Sequence, residues 1–455
     1  MWLASAARRR PNRPFVVTPE GPCSFAEVDE RVRRAIGALR AGGPGPGRRV
    51  AVWTGNDLDT VVALLAVPGA GAESVVLNSR LTVAEAGEQV VRSNAGAVVG
   101  PATTPDLGVP RIDPSELRGS ADQGVAPDPQ ATHSIFFTSG SSGAPKGVRL
   151  TWTNLEASAA ASAAHLGHAP GDVWLAVLPL HHLGGFSILV RSARQATTVL
   201  LEPSFDPDRV GALLEQGGAT LASLVATMLG RMLDARPGPY RGVRAVLVGG
   251  GPVSPVLLHR AVLAGLPALP TYGLTETASQ VATARLESGP ASSRRVLPLP
   301  GVELRIDRLG MILVRGPMVS PGYLDEPDRP PGAWLETGDL GELDGEGGLR
   351  VLGRADQVVI TGGENVHLAE VEQALAACRG VRAVTVVGVP DARWGEILAA
   401  VYVGEVTPAE LERHARDRLA GYKVPKRWAQ VETLPGSALG KVDRLRVKAI
   451  AEGRT

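Results

Sequence analysis

The sequence predicts an α/β protein in two parts. The first is a large, multi-subdomain α/β domain over residues 1–353. The second is a small α+β domain over 354–455. Three observations carry this. Short β-rich runs alternate with stretches of helical periodicity, the rhythm of layered sheets and helices. At 455 residues the chain is too long for one simple core. After a Gly-rich hairpin pattern near residue 340, a separate β-α-β-β-α rhythm begins, with the boundary near Arg354 to Asp356.

The elements follow in chain order. SFAEVDERVRRAIGALRA opens with a capping box, Ser24 to Glu27, and continues with helical spacing. RRVAVWTGN then reads as a buried strand. DTVVALLAVPGAGA reads as a helix closed by Pro and Gly, and SVVLN as the next strand. Thr82 to Glu85 is a second capping box. AGAVVG, DVWLAVLPL, TTVLLE and VRAVLVGGG are further strands. Residues 101–130, rich in Pro, Asp and Gly, read as a surface connection. GDLGELDGEGGLRVLGR reads as a hairpin with a Gly-rich turn. In the small domain, AEVEQALAACRG is a helix, and AVTVVGVP and ILAAVYVG are strands. A helix then opens at Thr407 with Pro408 at its first position.

Composition narrows the function. Hydrophobic content of 44% and charged content of 20% are those of a globular soluble chain. A net charge of +1 with no long basic run argues against a nucleic-acid partner. Cys23 and Cys378 make neither a disulfide framework nor a CxxC metal site. No apolar run is long enough for a membrane span, and the N-terminus lacks the order of a secretory signal, so the cytoplasm is the expected location. A homodimer is allowed but not required. Of 47 basic residues only five are Lys. Arg cannot replace a compact ammonium on a flexible stem, so Lys146 and Lys441, both beside glycines, draw notice.

Five short motifs carry chemistry. TSGSSGAPKG, Thr138 to Gly147, follows the apolar Ile135-Phe136-Phe137. Its Gly-rich turn, hydroxyls and Lys146 can cradle an anion, although alone it is equally an ordinary Ser/Gly loop. It is not a Walker sequence, because no GK[ST] is present. TYGLTETASQ offers Tyr272 for stacking, a Thr275 hydroxyl for a phosphate and a hard carboxylate, Glu276, of the kind Mg²⁺ prefers. Its bland reading is a capped helix start. In WLETGDLGEL, Asp339 could accept from two neighbouring ribose hydroxyls, or be a turn residue. GRADQVVITGGENVHLAEVE carries Arg354, Asp356 and the pair Gly362-Gly363, backbone that a ligand approaches closely or a tight turn. GSALGKVDR carries Lys441, a solvated tail lysine if read alone.

Together, in this order and spacing, these motifs resemble the adenylate-forming superfamily of acyl-CoA synthetases, luciferases and adenylation domains. The resemblance runs over about residues 10 to 448. It implies an enzyme in which a large and a small domain meet at the active site about a hinge, here Asp356. Thr138, Ser139, Gly140, Ser141, Ser142, Gly143 and Lys146 would hold the β- and γ-phosphates of ATP. Tyr272 and Gly273 would lie against adenine, with Gly249, Gly250, Gly251 and Pro252 on the other side. Thr275 would touch the α-phosphate, and Glu276 would hold Mg²⁺. Asp339, assisted by Arg354, would bind the ribose. Lys441 would bridge the α-phosphate and the substrate carboxylate. In a second half-reaction CoA would attack the acyl-adenylate, with the Gly362-Gly363 loop moved to the thiol tunnel.

The acid is read from LPLHHLGGFSILVRSA, Leu178 to Ala193. Pro179-Leu180-His181-His182 matches the family's PLFH, and His182 would sit where acyl pocket and thiol tunnel join. With TYGLTETASQVAT, this stretch looks most like the o-succinylbenzoate–CoA ligases of menaquinone biosynthesis. Such a dicarboxylate needs one acid activated and the other held. Arg191, on a predicted helix, could hold it by a charge-assisted bond, or be half of a structural ion pair. Ser187 and Thr227 are further pocket candidates. Two departures from the family pattern stand out: Val296-Leu297 before Pro298, and Val366-His367-Leu368 after the GGEN motif. The alternatives are a ligase for another acid, an amino-acid-activating domain serving a carrier protein, or a nucleotide-binding relative without catalysis.

Overall fold

A computed structural model describes residues 1–42, 47–139, 145–285, 295–361, 364–391, 394–436 and 442–454, with the side chains of Ser139 and Asn365 left aside. The chain forms two compact units. One comprises Met1–Val253, Leu257–Leu304 and Val314–Leu335; the other comprises Ser254–Val256, Arg305–Leu313 and Glu336–Thr455. Residues 336–353 thus group with the C-terminal residues.

The first unit is α/β, as the alternation predicts. One sheet has a parallel centre running through Thr198–Leu201, Val173–Ala176, Leu221–Val225, Ala245–Gly249 and Ala268–Leu274. Ser279–Thr283 returns antiparallel to the last of these. A second sheet runs Ala97–Val99, Arg49–Thr54, Glu73–Asn78 and Thr132–Ser139 in parallel. The antiparallel strands Pro145–Thr151 and Gly322–Tyr323 complete its edge. The central strands are apolar nearly throughout because both faces are covered: Val50, Ala51, Val52 and Trp53 are all buried in a row.

The start signals read from the sequence are present. Ser24 caps Phe25–Ala41 and Thr82 caps Val83–Ser93, each with a reciprocal glutamate. Thr151 does the same for Trp152–Leu166 with Asn154. The connection 101–130 is less plain than its composition suggests. It adds a short edge strand, Arg111–Ile112, and a 3₁₀ turn, Pro114–Glu116.

In the second unit, Leu335–Leu343 and Leu349–Arg354 form the expected hairpin. Val358–Thr361, Glu364–His367, Val381–Asp391, Gly395–Gly404 and Arg427–Gln430 form a sheet. Leu368–Ala376 packs on it, with Val366, Leu368, Val371 and Leu375 buried in its core. That explains one departure from the family pattern: Val366 and Leu368 are core residues. The other, Leu297–Pro298, is an edge strand against Ala282 and Thr283.

Candidate active site

The phosphate-loop residues Gly140, Ser141, Ser142 and Gly143 lie outside the described residues, but their stalks do not. Thr132–Ser139 and Pro145–Thr151 form a hairpin in which Thr138 stands opposite Lys146. The Lys146 Nζ donates to Glu326 Oε1 at 3.0 Å and sits 4.7 Å above the centre of the Tyr323 ring. The Tyr323 hydroxyl donates to Glu276 Oε1 at 2.9 Å. Burial, then the Glu276 carboxylate, pushes the Tyr323 hydroxyl upward, so it stays a donor. Loop lysine and proposed metal carboxylate are therefore joined through one phenol.

Glu276 is carried on a tight turn. Ala268–Leu274 ends at Leu274, and Thr275–Thr277 makes one 3₁₀ turn, not the longer helix that TETAS permits. Ala278 and Ser279 then take positive φ, 50° and 102°, which stops a helix and reverses the chain. The Thr277 hydroxyl ties the turn by accepting from the Leu274 N–H and donating to the Leu274 carbonyl, both at 3.0 Å. Gly273 has no alternative: a Cβ there would lie 1.7 Å from the Ser279 carbonyl oxygen. Strain in non-glycine residues at such a turn is the kind found at functional sites. Thr275 begins this turn half-buried.

The glycine run expected near Tyr272 starts at the last residue of the strand Ala245–Gly249. Val248 pairs with Pro270, so Gly249-Gly250-Gly251-Pro252 leaves its strand alongside Thr271-Tyr272. A Cβ on Gly249 would meet the Thr271 methyl at 2.8 Å and the Thr271 carbonyl oxygen at 3.3 Å, so a side chain there would crowd Thr271.

The acid side is different in kind. His182 is the exposed N-cap of Leu183–Gln195. His181 beside it is buried, with Nδ1 3.4 Å from the Thr54 hydroxyl, and burial lowers its pKa to about 3. Further along that helix Arg191 is 2% exposed. One guanidinium nitrogen reaches the Ser279 hydroxyl at 3.3 Å, and the group lies 5.6 Å from the Trp174 ring. Its Nε has no hydrogen-bond partner, nor has the Trp174 indole N–H. Among the described residues Arg191 forms no ion pair. Burial alone lowers its pKa to about 10, which leaves it charged at neutral pH. The Ser187 hydroxyl lies 3.5 Å from that of Ser279. Thr227 is exposed on the first turn of Ala226–Ala235, and no contact joins it to this group.

In the second unit, Asp339 stands directly opposite Arg354 across the hairpin. The guanidinium lies 3.4 Å from Asp339 Oδ1, 3.5 Å from Asp356 Oδ1 and 3.1 Å from the Thr337 carbonyl. Gly338, at φ 74°, makes room: a Cβ there would lie 2.9 Å from the guanidinium. Gly362, Gly363 and Lys441 lie outside the described residues.

The sequence pointed to Glu276, Lys146, Arg191 and Ser187 but not to their partners. Tyr323 and Glu326 stand 177 and more residues after Lys146 in SPGYLDEPDRP, and only the sheet edge brings them back. Ser279 lies inside a quoted motif, but only the left-handed turn aims it at Arg191. As a magnesium site, Glu276 is a lone carboxylate whose Oε2 accepts from no described residue. That suits an ion that takes one or two carboxylates and draws its other ligands from phosphate and water.

Comparison with known proteins identifies the family. Residues 3–324 match the AMP-binding enzyme family model, and residues 370–441 match the model of the AMP-binding enzyme C-terminal domain. A 2-succinylbenzoate–CoA ligase of Listeria monocytogenes is 35% identical over 462 residues, covering 98% of each chain. One of Bacillus cereus is 34% identical over 478 residues, covering 99% of this chain and 98% of its own. The solved o-succinylbenzoate CoA synthetase of Bacillus subtilis, in complex with its acyl-adenylate intermediate, superposes with a TM-score of 0.92. It has 32% identity, and the match covers 98% of this chain and 97% of that one. In both parts of its sequence and in its fold, this chain belongs to the AMP-binding enzyme family.

Proposed function

We propose that this protein is an ATP-dependent 2-succinylbenzoate–CoA ligase that forms an acyl-adenylate and then a CoA thioester. The observation that carries the substrate is Arg191. A charged guanidinium out of water is costly unless it is paired, and among the described residues it meets only a serine hydroxyl and an indole face. A dicarboxylate supplies the missing anion: one carboxylate is activated while the other meets Arg191, Ser187 and Ser279. Ser279 follows the turn that carries Glu276, so recognition of one end of the acid is tied to the nucleotide side.

The chemistry needs charge and alignment, because a carboxylate attacks a phosphate. Magnesium, entering with ATP, would supply a Lewis acid beside Glu276. Lys146 would meet the outer phosphates, Tyr272 and the Gly249–Gly251 backbone the adenine, and Thr275 the α-phosphate. Asp339 and Arg354 would hold the ribose. Lys441 would align the attacking carboxylate, and rotation about Asp356 would exchange it for the Gly362-Gly363 loop when CoA attacks. His182 would border the thiol path. Among the described residues no helix is long and apolar enough to cross a membrane. The protein would act in the cytoplasm, as a monomer or as a homodimer.

The test is a mass-spectrometric assay with ATP, Mg²⁺, CoA and a panel of o-succinylbenzoate, benzoate, coumarate, a medium-chain fatty acid and amino acids. A thioester from o-succinylbenzoate alone supports the reading. Turnover of another acid with o-succinylbenzoate ignored keeps the adenylation chemistry and removes the substrate.

A further inference from the structure

The strap from Pro317 to Asp328 touches the proposed nucleotide site at two points. The Ser320 N–H donates to the Glu276 carbonyl at 2.8 Å, and the Leu324 N–H donates to the Gly147 carbonyl at 2.8 Å. Between them Gly322–Tyr323 pairs with Val148 and Arg149. The Ser320 hydroxyl donates to the Arg149 carbonyl at 2.6 Å, and Asn154 Nδ2 donates to the carbonyls of Pro317 and Val319, both at 2.9 Å. Arg92–Asp325 and Arg149–Asp328 ion pairs pin the end of the strap. The side chain held at its centre is Tyr323, with its hydroxyl on Glu276 and its ring under Lys146.

We propose that Tyr323 is a positioning residue: its hydroxyl fixes the Glu276 carboxylate so that the second oxygen faces the Mg²⁺ arriving with ATP, while its ring seats the Lys146 ammonium. The inference rests on the nucleotide chemistry proposed above. A lone glutamate on a one-turn element has free side-chain torsions, and a ligand that needs one of its rotamers loses affinity in proportion to how rarely it is populated. The phenol removes that freedom with one charge-assisted bond. Lys146 is held differently. Its partner Glu326 is about half exposed, so phosphate oxygens can replace it while the aromatic face remains.

The test is the melting temperature with ATP as a function of Mg²⁺ concentration. In the wild type ATP raises it, and the rise is half-complete at some Mg²⁺ concentration. Tyr323→Phe keeps the ring and loses the hydroxyl; the half-point moves up about tenfold, while the ligand-free melting temperature falls by no more than about 2 °C. Tyr323→Leu, which also loses the aromatic face, weakens the ATP-induced rise even at saturating Mg²⁺. An unchanged half-point in Tyr323→Phe overturns the positioning role, as does a lower ligand-free melting temperature with the half-point unmoved. No ATP-induced rise in the wild type at any Mg²⁺ concentration overturns the nucleotide reading itself, and this proposal with it.

Discussion

Two buried charges in the large unit have opposite surroundings. The Asp172 carboxylate is 1% exposed and fully met. Two guanidinium nitrogens of Arg244 reach it at 2.8 Å each, the Thr220 hydroxyl donates at 2.9 Å and the Ala169 N–H at 2.8 Å. Burial works against its charge, yet His168, Arg244 and these donors hold its pKa well below the usual carboxylate range. Arg191 is equally buried and has one hydroxyl at 3.3 Å. Among the described residues, one buried charge is met four times and the other only once. The first ties the segment before Val173–Ala176 to the start of Ala245–Gly249. The second is the group proposed above to receive the spare carboxylate of the acid.

The largest effect that can break this contrast is on catalysis. Arg191→Met should cost on the order of 10³ in kcat/KM for o-succinylbenzoate, about 4 kcal/mol, because it deletes one half of a buried charge pair. ATP-induced stabilisation should persist. Steady-state kinetics beside a thermal shift check both. The same variant should be as stable as the wild type or more so, since an uncompensated buried charge is gone. Asp172→Ala should do the reverse. It should lose about 3 kcal/mol in urea unfolding, leaving Arg244 and Thr220 without their acceptor, while the folded fraction keeps its KM.

A smaller effect sharpens the contrast through groups kept neutral. His133 is fully buried, and burial lowers its pKa to about 3; His181 is lowered to about the same value, by burial and then by His182. Unfolded histidine takes up a proton near pH ~6.5. Because the folded-state values are depressed, this contribution to stability is complete above ~6.5 and is lost as pH falls toward 3. Each histidine should remove roughly 1.4 kcal/mol at pH 5.5 relative to pH 7.5, and His133→Phe should flatten the slope by about one histidine's share. Smallest of all, Ser279→Ala should raise KM for the acid about three- to fivefold, the loss of one modest hydrogen bond, with little change in kcat.

Much of this was legible in the sequence, for physical reasons. Capping boxes at Ser24 and Thr82 are local, so local spacing reveals them. The apolar runs at 49–54 and 73–78 report strands covered on both faces. The motif residues are contiguous because a turn must aim several groups at one ligand. What stayed hidden was long-range or conformational. Tyr323 meets Glu276 only through sheet pairing, and Ser279 reaches Arg191 only because two successive residues take positive φ. The TETAS stretch allows a capped helix start, and the Leu274–Thr277 hydrogen bonds hold it to one tight turn. No pattern in FSILVRS distinguishes a guanidinium that pairs within the protein from one that faces a pocket. Only the list of its neighbours does.

The central claim is that Arg191 holds the second carboxylate of the acid. The most direct measurement compares kcat/KM for o-succinylbenzoate and for 4-oxo-4-phenylbutanoate, the analogue with hydrogen in place of the ring carboxylate, in the wild type and in Arg191→Met. The account predicts a strong wild-type preference for the dicarboxylate that collapses to within a few-fold in the variant, through loss on o-succinylbenzoate alone. Equal loss on both acids, or a preference that survives the substitution, would contradict it.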